Sequence, residues 1–242
     1  MSTENQKNWY DMELPDGGPI YTETAPDQFI VEPWNAISSL LYMLPALIWL
    51  WYLRKHFTRY RFILFAGILI ILGSLGSTLF HAFRVSVVFL ILDILPVAIL
   101  TLSISIYFWT HVFKQWGYVF FVIGPLIGLR FFIFNVFSDN LAINLSYALT
   151  GIMVALPLII LYFQKKLVKT HYVIYTMIAF ALALLFREMD SWQFQLLPMG
   201  THFLWHAFSG VGTWFILGFL YHYKNSRDKV QRNTAATSQK AS

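Results

Sequence analysis

Three histidines, an aspartate and a serine stand inside apolar stretches of this chain: Ser77, His81 and Asp93 within GSLGSTLFHAFRVSVVFLILD, and His202 and His206 within THFLWHAF. Ionisable groups are costly in such surroundings, so each needs a partner or a task. Ser77 and His81 are four apart, as are His202 and His206, which puts each pair on one face of a helix. Two imidazoles at that spacing can point at one metal ion, and His81 on a facing helix would complete a three-histidine set. Such a set leaves a fourth position for water, the catalytic rather than the structural arrangement of zinc. Taken alone, His202 and His206 read equally well as interfacial histidines among Phe203, Trp205 and Phe208. His81 and Asp93 at the same depth turn the reading toward metal. Asp93, in LILDILP, has no basic neighbour on its own helix; beside a metal-activated water it would serve as a general base and later return the proton to a leaving group. Ser77 stays ambiguous, since serines in membrane helices commonly bond the i−4 carbonyl, and Gly73 and Gly76 beside it also fit close helix packing.

The elements that must position these groups are membrane helices. The chain has 242 residues, 57% hydrophobic and 12% charged. That is too apolar for an ordinary soluble domain and too long for one span, so it reads as all-α and polytopic. Cysteine is absent, which excludes disulfides and thiol chemistry and leaves His, Asp and Glu as metal ligands. Seven apolar runs, near 33–53, 61–82, 86–109, 116–137, 142–163, 171–187 and 201–222, each approach the ~20 residues a helix needs to cross a bilayer. Residues 1–32 form an acidic, Pro- and Gly-rich segment, with no cleavable signal peptide expected. Residues 33–222 form the seven-helix domain, and the basic tail 223–242 is expected to be disordered.

Charge sets an expected orientation. Arg54, Lys55, Arg59 and Arg61 follow the first span, Lys114 the third, and Lys165, Lys166 and Lys169 the fifth, while the tail carries Lys224, Arg227, Lys229, Arg232 and Lys240. The opposite side has only Lys7, Arg84 and Arg187. By the positive-inside rule the C-terminus is cytoplasmic and the acidic N-terminus faces out or into a lumen. Ser77, His81, Asp93, His202 and His206 then share one depth near the outer face. Because the basic residues gather at the ends of apolar runs, the net charge of +5 does not point to nucleic acid, and no protein partner is inferred.

GSLGSTLFH, the following Asp93, HFLWH, and the segment YTETAPDQFIVEPWNAISSLLYM together resemble the alkaline ceramidase family, within a superfamily of seven-helix zinc hydrolases and adiponectin-type receptors. The resemblance runs from about residue 20 to 222. It implies a zinc enzyme that hydrolyses ceramide to a sphingoid base and a fatty acid. His81, His202 and His206 match its zinc ligands, Asp93 its acid/base and Ser77 the serine that supports the oxyanion. Glu23 and Glu32 match carboxylates of a calcium site that braces the N-terminal segment, with Asp27 or Asp16 as further ligands. Ile20 and Ala25 replace two of that site's ligands, and the spacing from His81 to Asp93 differs by about one residue. The alternatives are another zinc lipid hydrolase, a phospholipase or N-acyl lipid amidase, and a non-enzymatic receptor of the adiponectin type. The receptor places its N-terminus inside. A zinc transporter would need ligands at two depths.

Overall fold

The computed structural model describes residues 13–113, 115–164, 166–192 and 196–241; Lys7, Lys114 and Lys165 of the charge count lie outside them. All regular structure among the described residues is helical: α1 (Pro33–Leu41), α2 (Leu44–Leu53), α3 (Arg61–Phe83), α4 (Val87–Val112), α5 (Tyr118–Val136), α6 (Asp139–Phe163), α7 (Thr170–Met189) and α8 (His202–Ala241). Seven stretches are long and apolar enough to cross a membrane, α1 and α2 together making the first. Their bounds follow the seven apolar runs within a few residues, because length and hydropathy are local properties that no tertiary contact has to supply. Side chains such as Phe121, Phe131 and Trp51 point outward, as lipid-facing residues do.

The chain divides into two compact units. The second, Ala98–Thr170, holds the end of α4 with α5 and α6, packed around Trp109, Val119, Ile123, Ile133, Ala142, Leu149 and Met153. In it the Ser105 hydroxyl donates to the Met153 carbonyl at 2.7 Å.

The first unit carries all the singled-out residues. Here α1 and α2 pack on α3 and α8. Small residues set how closely helices approach. A Cβ on Gly76 would run into the Leu92 carbonyl and come within 2.8 Å of the Asp93 nitrogen, so α3 and α4 cross backbone against backbone at the level of Ser77 and Asp93. Gly76→Ala should therefore destabilise the protein by roughly 1–3 kcal/mol through overpacking, read as a lowered unfolding midpoint in detergent. An unchanged midpoint would show that the crossing is looser than this.

Residues 13–32 are fastened to the ends of these helices. The Val31 and Glu32 amides donate to the carbonyls of Ala82 (2.9 Å) and His81 (3.1 Å) in the last turn of α3. The Glu23 carboxylate accepts the first-turn amides of α1, from Trp34 and, at 2.9 Å, from Asn35. It thus caps α1 from eleven residues upstream of its first partner, satisfying donors that the helix itself leaves open.

The tail departs from the expectation of disorder: α8 continues to Ala241, 40 residues in all. No Gly or Pro follows Gly218, Lys224 and Asp228 pair at 2.7 Å one turn apart, and Arg59 reaches Asp228 (2.9 Å) and Asn225 (2.8 Å). The Tyr60 hydroxyl also donates to Asn225 at 2.7 Å. The loop before α3 therefore holds the helix just past its apolar part, which composition alone does not reveal.

Candidate metal centre

His81 lies in the last turn of α3, His202 is the first residue of α8 and His206 lies one turn further on. Each has a reason to be where it is. Past His81, α3 is closed by Arg84 in the left-handed region (φ 53°), whose amide bonds the Phe80 carbonyl at 3.0 Å. The start of α8 is set by Asp190, whose Oδ1 accepts the amides of Thr201 (2.6 Å) and His202 (3.0 Å). Gly200, just before them (φ +74°), has no room for a Cβ, which would fall on that same oxygen. Asp190 also accepts the Thr22 amide at 3.0 Å through Oδ2, and its carbonyl takes the Thr22 hydroxyl at 2.9 Å. One buried carboxylate thus positions the first α8 histidine and ties down the N-terminal segment. In the sequence, Asp190 beside Arg187, Glu188 and Trp192 reads as part of a solvated loop.

The three imidazoles converge. One nitrogen from each lies within 4.8 Å of the others, and all three residues are buried. Nε2 of His202 and Nε2 of His206 are 3.2 Å apart. Two nitrogens bound to one tetrahedral ion at ordinary zinc distances stand roughly 3.3 Å apart. Hydrogen bonds to the other ring nitrogens support the same use. His81 Nδ1 meets Glu32 Oε2 at 2.5 Å; an ionised carboxylate can only accept, so Nδ1 donates, and in a neutral ring that leaves the Nε2 lone pair for a metal. His206 Nδ1 meets the Ser39 hydroxyl at 2.5 Å; that hydroxyl donates to the Asn35 carbonyl (2.8 Å) or to Ser77 (3.0 Å), so it accepts from His206. A carboxylate or hydroxyl holding the far nitrogen is the usual support of a metal-bound histidine. His202 Nδ1 is buried without a partner among the described residues, and the ring of Tyr21 lies 3.9 Å from its ring, centroid to centroid.

Asp93, on α4, is half-buried, and the Ser77 hydroxyl is close enough to act on its carboxylate. Hydrogen bonds join His206, Ser39 and Ser77, with Asp93 beside the last of them. Ser77 therefore faces the site, though Ser74 and Thr78 nearby bond carbonyls. Ser39 and Asn35 went unread in the sequence. The signal was there: Asn35, Ser38 and Ser39 form a buried polar stripe at helical spacing in an otherwise apolar span.

The acidic residues expected to hold calcium do not form a cage among the described residues. Glu23 caps α1, and burial raises its carboxyl above the ordinary value against the two backbone bonds it accepts. Glu32 is shielded completely: its oxygens take His81, the Thr24 hydroxyl (2.6 Å), the Asn35 amide (3.4 Å) and Arg84. Asp16 takes Arg84 through both oxygens, at 2.7 and 3.0 Å, and the Gly18 amide at 2.7 Å. Asp27 is exposed on the surface. The cation that joins Asp16 and Glu32 is the Arg84 guanidinium, itself 1% exposed and also bonded to the Pro19 carbonyl at 3.0 Å. Burial alone would raise the Glu32 carboxyl, but the bond to His81 and the charge of Arg84 outweigh it and hold it below the usual value.

The chain matches no protein-family model and has no significant sequence match among curated proteins.

Proposed function

We propose that this chain is a zinc-dependent intramembrane lipid amidase that hydrolyses ceramide to a sphingoid base and a free fatty acid. The observation that carries the reading is the convergence of three buried imidazole nitrogens, with the Ser77 hydroxyl joined to one of them through Ser39 and the Asp93 carboxylate beside it. Three neutral imidazoles and no thiolate suit a borderline transition ion, and zinc is the redox-inert choice for hydrolysis. A zinc ion held by His81, His202 and His206 would polarise the lipid carbonyl and lower the pKa of water.

The chain's own residues account for the proton. Asp93 takes it from the attacking water as the new carbon–oxygen bond forms. Once protonated, Asp93 no longer calls on Ser77 as a donor, and the serine hydroxyl is free to bond the developing oxyanion. Asp93 then gives the proton to the departing nitrogen as the carbon–nitrogen bond breaks, and the products are a carboxylic acid and an amine. Glu32 and Ser39 hold His81 and His206 in the tautomer that leaves Nε2 free. The lysine and arginine distribution supports an outward-facing N-terminus. The site, beside the N-terminal segment, would then open near the outer leaflet, where a lipid can enter sideways.

The test is a lipid panel incubated with purified protein and read as released fatty acid. Ceramide should be cleaved, and Asp93→Asn should lose ~10²–10⁴-fold in turnover while keeping its metal. Release from phospholipid esters alone would move the assignment to a phospholipase. Metal without turnover of any lipid would favour a receptor.

A further inference from the structure

The break between α1 and α2 falls at Tyr42 and Met43, and Tyr42 is built into a slot. Without its glycine, position 73 would place a Cβ 2.6 Å from the Tyr42 hydroxyl and 3.1 Å from a Val97 methyl. A Cβ at position 210 on α8 would lie 3.2 Å from the Tyr42 Cα. Two helices have thus given up side chains where this residue enters. Among the described residues the phenol oxygen nevertheless has no hydrogen-bond partner, though it is buried and the residue is 9% exposed. A buried hydroxyl in that condition is uncommon and costs stability. Its location gives it a use. Gly73 is one turn from Ser77 on the same face of α3, and Val97 is one turn from Asp93 on α4. Tyr42 is also near enough to Asp93 to feel its charge.

We propose that the Tyr42 hydroxyl is a substrate-recognition group, bonding a hydroxyl that the lipid carries beside its amide while Ser77 and Asp93 meet the amide itself. This rests on the amidase reading and adds the feature by which the site prefers hydroxylated lipid amides. A site built to bond a substrate hydroxyl discriminates strongly against the analogue that lacks it, because the site's own polar group is then left unpaired.

The experiment compares wild type with Tyr42→Phe on ceramide and on an N-acyl alkylamine of equal chain length without hydroxyls, alongside zinc content and unfolding midpoint. The expected result is a loss of at least about tenfold in kcat/KM on ceramide, little change on the alkylamine, full zinc, and a midpoint equal to or above wild type, since an orphaned hydroxyl has been removed. Unchanged ceramide kinetics overturn the proposal and leave the amidase reading standing. Equal losses on both substrates, or a fall in zinc or midpoint, show a structural role and overturn it too. Absence of amide hydrolysis in wild type overturns both.

Discussion

His206→Ala is expected to lose its metal and its turnover together. Wild-type protein should carry about one zinc per chain, whereas the variant keeps two imidazoles on elements that no longer close a set. Loss of a supporting group around a metal ligand typically costs about 10–100-fold in affinity, so loss of a ligand should exceed the upper end of that range. If the metal supplies several kcal/mol of transition-state stabilisation, hydrolysis should fall by more than about 10³-fold. Ser39→Ala, which leaves all three imidazoles in place and removes the hydroxyl that bonds His206 Nδ1 and Ser77, should show the smaller affinity loss and retain measurable turnover. Metal content by elemental analysis and fatty-acid release settle both. A His206→Ala protein that keeps one equivalent of metal would show that the imidazole cluster is not the binding site.

The second large effect is expected at Arg84, and it falls on stability. Arg84→Met leaves Asp16 and Glu32 buried without the cation they share. Removing one partner of a buried ion pair costs about 3–5 kcal/mol, because the remaining charge is uncompensated. At ~2–4 °C per kcal/mol for a chain of this size, the unfolding midpoint should drop by roughly 10 °C. Adding Asp16→Asn should recover part of the loss, as coupled sites do. Wild type should show no shift on adding calcium or a calcium-selective chelator, since the guanidinium already occupies the role that the resemblance assigns to calcium. A clear calcium-dependent rise in the wild-type midpoint would refute this arrangement. The pH dependence has a definite sign. A carboxyl held low in the fold, as Glu32 is, contributes fully above its unfolded value, and that contribution disappears as pH falls through the folded one.

Much of the molecule could be read one stretch at a time. The spans near 61–82 and 142–163 correspond to α3 and to the apolar part of α6, because a lipid-crossing helix is declared by its own length and hydropathy. His202 and His206 announced themselves by a spacing that any helix turns into a shared face. The meeting of His81 with both needed only that the ends of α3 and α8 lie together, an arrangement that the order of spans makes natural.

What remained hidden concerns groups whose meaning depends on their neighbours. In sequence a carboxylate looks the same whether it faces water, a metal or a guanidinium. Glu32 read as a calcium ligand and is the partner of His81 and Arg84; Asp190 read as solvated loop and caps the helix that begins at His202. Arg84 was one charge in an orientation count, and only the fold buries it. Hydropathy and helical spacing are written along the chain and survive without tertiary structure, so the sequence by itself determined the seven spans and the histidine pair. Which buried acid meets which cation, and which serine faces the histidines, depend on contacts between residues far apart in the chain, Arg84 with Asp16 across 68 positions and Ser39 with Ser77 across 38, and those only the packed structure decides.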